Sequence, residues 1–225
     1  LKIQRIKELR IISQEGSVNK MRTRYRHDLD SVREMSNELM ELVILCYDKI
    51  DLYLENHNKK NLEEIIDLND DIRRNAADVE RFCFELLALQ QPVARDLRFL
   101  QMSIKLASTY KRISSHLAQA SMIMIEYSLT DKEVDFVKRF IDNEKQMAED
   151  SIHSFVNNDN DLGLKTIEDD EINNKLFEEA ITYIADQNKM NEISAMELSE
   201  KVLLYKYFER LGDRLARVGD LATRL

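Results

Sequence analysis

Three carboxylates near the C-terminus are the residues best placed to do chemistry. Glu209, Asp213 and Asp220 stand at i, i+4 and i+11. At about 100° per residue they fall at roughly 0°, 40° and 20°, one narrow stripe of a helix. Leu204, Phe208, Leu211, Leu215, Val218 and Ala222 centre on the opposite side, so the carboxylates point away from that helix's core. Oxygen-only ligands suit hard or borderline cations such as iron, manganese, magnesium or calcium. The plainer reading is a solvated acidic face, with Lys206, Arg210 and Arg217 close enough to neutralise part of it.

Other candidates are sparser. His27, His57, His116 and His153 are scattered, and only Asp150-x-x-His153 resembles a helical metal pair. A di-iron bundle needs two Glu-x-x-His pairs, which disfavours a ferritin-like oxidase. No Ser-His-Asp or Cys-His set is evident, so no catalytic residue is assigned and the chain is read as a non-enzyme. Arg73, Lys111 and Arg112 form a basic group that an anion could use, although ordinary surface cations are the simpler account. The run Met122-Ile123-Met124-Ile125 reads as core.

The elements that must carry these residues are helical. Of 225 residues, 44% are hydrophobic and 33% charged, with only 4 Gly and 1 Pro. Too few turn residues exist for an all-β fold, and too few glycines for a phosphate-cradling loop. The net charge of −9 argues against nucleic acid. The longest apolar run, Leu42 to Tyr47, falls far short of a membrane span. Cys46 and Cys83 sit in apolar helical stretches and read as buried thiols of a reducing compartment. A cytoplasmic protein is expected.

Apolar spacing from Leu29 through Val32, Leu39, Val43 and Cys46 to Ile50 predicts a first helix over about 22–57. Asn61 is the expected cap of a second, running to about Gln90. Pro92 precedes a third helix, ending near Tyr127. Thr130-Asp131 caps a fourth, which ends near 157–160. Asp161 opens a fifth that stops near Gln187-Asn188, and a sixth covers about 192–225. Short connections favour antiparallel neighbours, hence bundles. Residues 1–20 carry Lys2, Arg5, Lys7, Arg10 and Lys20 against Glu8 and Glu15, a net of +3, leaving the rest at −12. They read as an extension ahead of Met21; a short amphipathic helix docking through Ile3, Ile6 and Leu9 is the alternative.

The chain also repeats itself. Leu68-Asn69-Asp70-Asp71-Ile72 parallels Ile167-Glu168-Asp169-Asp170-Glu171-Ile172, and Tyr110 to Leu117 parallels Phe208 to Leu215. A repeat of this length points to duplication. The expected architecture is all-α: two tandem three-helix bundles, 21–128 and 129–225, behind the 1–20 extension.

Three segments carry a family resemblance. Phe208-Glu209-Arg210-Leu211-Gly212-Asp213 resembles the E-R-I-G-D segment of the PhoU family of phosphate-signalling regulators. Leu87 to Arg98 resembles the linker between that family's second and third helices, and Asp169-Asp170-Glu171-Ile172-Asn173 its acidic D-D-E-I-D run. The resemblance spans about 21–225. It implies a duplicated three-helix bundle that damps the phosphate-starvation response, through the Pst phosphate transporter and a sensor kinase rather than by catalysis. It further implies metal ligation by acidic motifs on neighbouring helices.

Carried onto this sequence, the implied metal ligands are Glu209, Asp213, Asp169 and Asn173, with Asp170 and Asp220 as possible additions. Asn173 stands where the family has Asp, which removes a charge. In repeat 1, Lys111 and Ser115 replace the Glu and Asp, and Arg73 replaces the second acid of the earlier motif; fixed cations there repel a metal. The expectation is one weak site for iron or another divalent metal on repeat 2, liable to empty on purification, and none on repeat 1. The implied partners are the transporter's ATPase subunit and the sensor histidine kinase, with no nucleic acid and no membrane insertion, in a homodimer. Residues 131–180 hold 15 Asp/Glu against 6 Lys/Arg and should face a basic partner. Two other readings are a metal-dependent bundle enzyme and a metal-free interaction scaffold.

Overall fold

The computed structural model describes the backbone of residues 2–189 and 193–225, and the side chains of 23–187 and 193–225. Among the described residues the order is α1 (Lys2–Asn56), α2 (Lys60–Gln90), α3 (Ala94–Glu126), α4 (Asp131–Asn157), α5 (Asn160–Lys189) and α6 (Ala195–Ala222), with no strand. Helices α1–α3 pack on one another, as do α4–α6, and the two bundles meet where α3 lies against α6 and α1 against α4. This is the all-α, twice-three-helix architecture expected.

The helix ends follow from local chemistry. Thr130 forms a full capping box: its side chain accepts from the Glu133 amide, and the Glu133 side chain accepts from the Thr130 amide. Ser194 accepts from the Glu197 amide at the start of α6. The expected Asn61 cap is not used. The N-cap position falls on Lys59, which offers no side-chain cap; one residue earlier Asn58 Oδ1 accepts from the Lys60 amide, and Asn56 Oδ1 in turn accepts from the Asn58 amide. Asn58 can do so because it precedes the first turn, whereas Asn61 is already inside it. The first helix also departs from expectation: α1 begins at Lys2, not near residue 22, and spans 55 residues. Gly16 and Ser17 lower helix propensity by only about 1 kcal/mol or less each, too little to stop a long helix. The docking of Ile3, Ile6 and Leu9 lies outside the described side chains.

Burial bears out the periodicity. Val32, Leu39, Val43, Cys46 and Ile50 of α1 are buried, as are Leu204, Phe208, Leu211, Leu215, Val218 and Ala222 of α6. Cys46 and Cys83 are buried free thiols, each pushed up to about 12 chiefly by burial. In the methionine run Met124 and Ile123 are core, while Met122 is exposed. A wholly buried cation sits inside the second bundle: Lys201 of α6 lies 2.9 Å from both Glu133 of α4 and Glu197. Two carboxylates and three ammonium donors satisfy one another there, which is the condition for burying charge.

Candidate acidic site between α5 and α6

Gly212 sets the distance between α5 and α6. A Cβ there would meet Asn173 Nδ2 at 2.2 Å and Asp170 Oδ1 at 2.4 Å. Without one, the two α5 side chains settle against the α6 backbone. Their spacing, i and i+3, puts them one above the other on the face turned toward α6. Glu209 and Asp213 flank the glycine on α6, so the three-residue gap from Asp170 to Asn173 is met by acids on either side.

Asn173 is wholly buried and already engaged. Its Nδ2 donates to Glu144 Oε1 at 3.2 Å, and its Oδ1 accepts from Asn143 Nδ2 at 3.0 Å. Asn143 also donates to the Asp169 carbonyl at 3.1 Å. Glu144 of α4 is itself fully buried, and burial, with the nearby Asp170 charge adding, holds its carboxyl well above the usual carboxylate range; the Tyr47 phenol of α1 opposes this. Asn143, Glu144 and Tyr47 were not found by sequence reasoning. Glu144 occupies an apolar-periodic position of α4, between Ile141 and Met147, and a charged residue in a core slot is the signal that marks it.

Asp170 gathers the remaining charge. Burial, then Asp213, Glu209 and Glu171, raise its carboxyl to about 6. Asp170 Oδ1 and Glu209 Oε2 are buried without a hydrogen-bond partner, as is Glu144 Oε2. The other oxygen of Glu209 accepts from Lys206 at 2.6 Å. Asp169, one residue earlier, turns away: it pairs with Lys165 at 3.6 Å, and Lys165 pairs more closely with Asp150 at 2.5 Å. Asp220 lies farther along α6 in an ion pair with Arg224 at 2.8 Å.

The expected ligand set is therefore not brought together as such. Glu209 and Asp213 do meet α5, but through Asp170. Asn173 is consumed by Asn143 and Glu144, Asp169 by Lys165, and Asp220 by Arg224. Among the described residues no group of three or more His, Cys, Asp or Glu side chains stands close enough to hold a metal ion. The residues do not fit a multinuclear cluster. For one hard cation the donor chemistry is right, with Asp170, Glu209 and Asp213 as ligands and two orphaned buried oxygens among them, but the side chains would have to close on it.

Repeat 1 shows how the same place is filled without acids. Ser114, which stands where repeat 2 has Gly212, donates to Asn69 Oδ1 at 2.8 Å. Arg73 Nη1 donates to Ser115 Oγ at 3.5 Å, and Lys111 pairs with Glu80 at 2.6 Å. Arg73, Lys111 and Arg112 thus do not converge on an anion: the first two have partners on their own bundle, and Arg112 turns to the α3–α6 seam.

Most of the chain finds counterparts among known proteins. It matches the PhoU domain family over residues 32–124 and 137–222. A phosphate-specific transport system accessory protein PhoU homolog of Borreliella burgdorferi is 25% identical over 209 residues, covering 89% of this chain and 94% of that protein. The corresponding protein of Aquifex aeolicus is 29% identical over 192 residues, covering 81% and 84%. Among solved structures, PhoU of Pseudomonas aeruginosa superposes with a TM-score of 0.81 at 17% identity, over 88% of this chain and 96% of that one. The phosphate transport system regulatory protein PhoU of Streptococcus pneumoniae gives 0.79 at 20%, over 88% and 94%. Those two likenesses speak to the fold, and the family match, which spans well over half of the sequence, speaks to descent: the chain belongs to the PhoU domain family.

Proposed function

We propose that this protein is an accessory regulator of phosphate-specific transport, acting without catalysis. It restrains phosphate uptake and phosphate-starvation signalling when phosphate is plentiful. The observation that carries this reading is coverage. The relatives named as phosphate-specific transport accessory proteins align over nearly their whole length, so the resemblance is not confined to one helical hairpin.

In this reading the chain works at the cytoplasmic face of the transporter, as a homodimer, through the transporter's ATPase subunit and a sensor histidine kinase. No described helix is long and apolar enough to cross a membrane, which is consistent with recruitment by contact rather than insertion. The excess of 15 Asp/Glu over 6 Lys/Arg in residues 131–180 favours basic partners. Charges at the rim of an interface mainly set association rate and salt dependence. Repeat 2 takes at most one divalent cation, weakly, at Asp170, Glu209 and Asp213. Such an ion would supply charge neutralisation between α5 and α6.

The experiment is binding of the purified chain to the ATPase subunit and to the kinase at low and high salt. Association that weakens as salt rises supports the proposal. Failure to bind either partner, or affinity that does not respond to salt, counts against the proposed partners and their electrostatic mode.

A further inference from the structure

The seam between α3 and α6 carries cations that the acidic site does not use. Lys105, Ser108, Thr109 and Arg112 of α3, with Arg214 and Arg217 of α6, line a cleft of about 200 Å³. Arg210 adds its charge from one turn away on α6. None of these five cations makes an ion pair among the described residues, in a chain whose net charge is −9. Arg214 Nε is buried and has no hydrogen-bond partner. Asp213, the acid beside it in sequence, offsets only part of the repulsion that Arg214 feels from Arg112, Arg217 and Arg210.

His116 of α3, one turn on from Arg112, feels the charge of Arg112, Arg210 and Arg214. Its ring stands edge-on to Tyr207, centroids 5.5 Å apart, and its Nδ1 is buried without a partner. Burial first, and then Arg214, Arg210 and Arg112, hold its imidazole down at about 4. Burial is the larger cause, and the three guanidinium groups add to it, so His116 sits beside net positive charge. Carboxylates outnumber cations in this protein, 42 to 33, yet only Asp213 offsets part of the charge felt by Arg214. Lys105, Arg112, Arg210 and Arg217 are exposed and Arg214 half-buried, and a cleft lined by one sign of charge concentrates counter-ions of the other.

We propose that the α3–α6 seam binds a linear oligophosphate of two to three phosphates. Guanidinium forks match phosphate oxygens two at a time, which a lysine-only patch would not do. The pairs Lys105–Arg112 and Arg210–Arg217 each span seven residues, about 10 Å of helix rise. A single phosphate reaches one end of that array, and a short phosphate chain reaches both. The cleft is too small for a folded acidic segment. Ser108 adds a hydroxyl to the lining; the Thr109 hydroxyl already donates to the Lys105 carbonyl at 2.8 Å. The lining comes from α3 and α6 alone, and the proposal stands apart from the transport reading.

The test is calorimetric titration of the full chain, at physiological salt, with tripolyphosphate, ATP, inorganic phosphate and sulfate. Tripolyphosphate should bind saturably at one equivalent, at least tenfold tighter than inorganic phosphate or sulfate. Arg112→Gln and Arg217→Gln should each weaken it about tenfold or more, and neither removes a structural partner. Arg74→Gln, on the surface of α2, should leave it unchanged. ATP binding as tightly as tripolyphosphate identifies nucleotides as a source of the phosphate chain, and tripolyphosphate alone identifies the inorganic chain. Saturation should also raise the His116 titration midpoint, read from its ring proton resonances, in wild type but not in Arg112→Gln. No saturable binding of either chain overturns the proposal, as does inorganic phosphate binding as tightly or an equal loss in Arg74→Gln.

Discussion

Gly212 of α6 and Asn173 of α5 approach so closely that a Cβ on the glycine would lie 2.2 Å from the Asn173 amide nitrogen. That contact fixes the spacing of the whole acidic site. It lets Asn173 reach Glu144 across the bundle and holds Asp170 beside Glu209 and Asp213. A methyl group at 212 must push Asn173 away and break its bond to Glu144. Alanine in a helix interior is worth about 1 kcal/mol over glycine, but the clash exceeds it. Gly212→Ala should therefore lose about 1–3 kcal/mol of stability in urea unfolding. Unchanged or increased stability would mean that α5 moves aside freely.

Lys201 gives the largest expected effect away from the site. Its ammonium is buried between Glu133 and Glu197, with side-chain exposure of 3% for Lys201 and Glu133. Removing one partner leaves buried charge uncompensated, which costs about 3–5 kcal/mol. Lys201→Ala should show that loss, and Glu197→Gln, nearer the surface, a smaller one. Equal small losses in both would place the pair in solvent.

His116 makes stability depend on pH. Its folded titration midpoint is about 4, against a usual value of 6.5. A group whose folded value is depressed leaves the unfolded chain to take up the proton first. The stability it supports is complete above 6.5 and is lost as pH falls toward 4. Between pH 7.5 and pH 5, wild type should lose about 1–2 kcal/mol more than His116→Gln, allowing for the ring's partial exposure. Parallel losses in the two proteins would show that the imidazole is solvated.

The acidic site gives a prediction about metal. Asp170, Glu209 and Asp213 repel one another, and two of their oxygens are buried without partners. Manganese titration should reveal at most one weak equivalent, abolished in Asp170→Asn and in Glu209→Gln but retained in Lys111→Ala. Two or more tightly held ions would overturn the single-site assignment, and loss in Lys111→Ala would move the site to repeat 1.

The parts of the molecule legible in sequence are those that depend on one helix at a time. Apolar spacing marks the buried faces of α1 and α6, and Thr130 and Pro92 mark helix starts, because these signals are local. Gly16-Ser17 misleads about the start of α1, since propensity alone rarely ends a long helix. The acidic stripe on α6 is readable for the same reason as the cores. Its partner on α5 is not: spacing within α5 ranks Asp169 and Asn173 equally with Asp170, and only packing at Gly212 selects Asp170. Glu144 and Tyr47 come from two further helices. The α3–α6 cations show the same limit. Lys105 and Arg112 are seven apart, and Arg210, Arg214 and Arg217 lie on one helical face, but nothing in either helix says that the two groups face each other.

Phosphate uptake by a strain lacking this protein, grown with abundant phosphate, tests the central claim most directly. Uptake should remain high, with starvation genes expressed despite the supply, and re-expression of the chain should restore restraint. Uptake and starvation-gene output that match the parent strain, in a background with no second copy of the gene, would contradict the account.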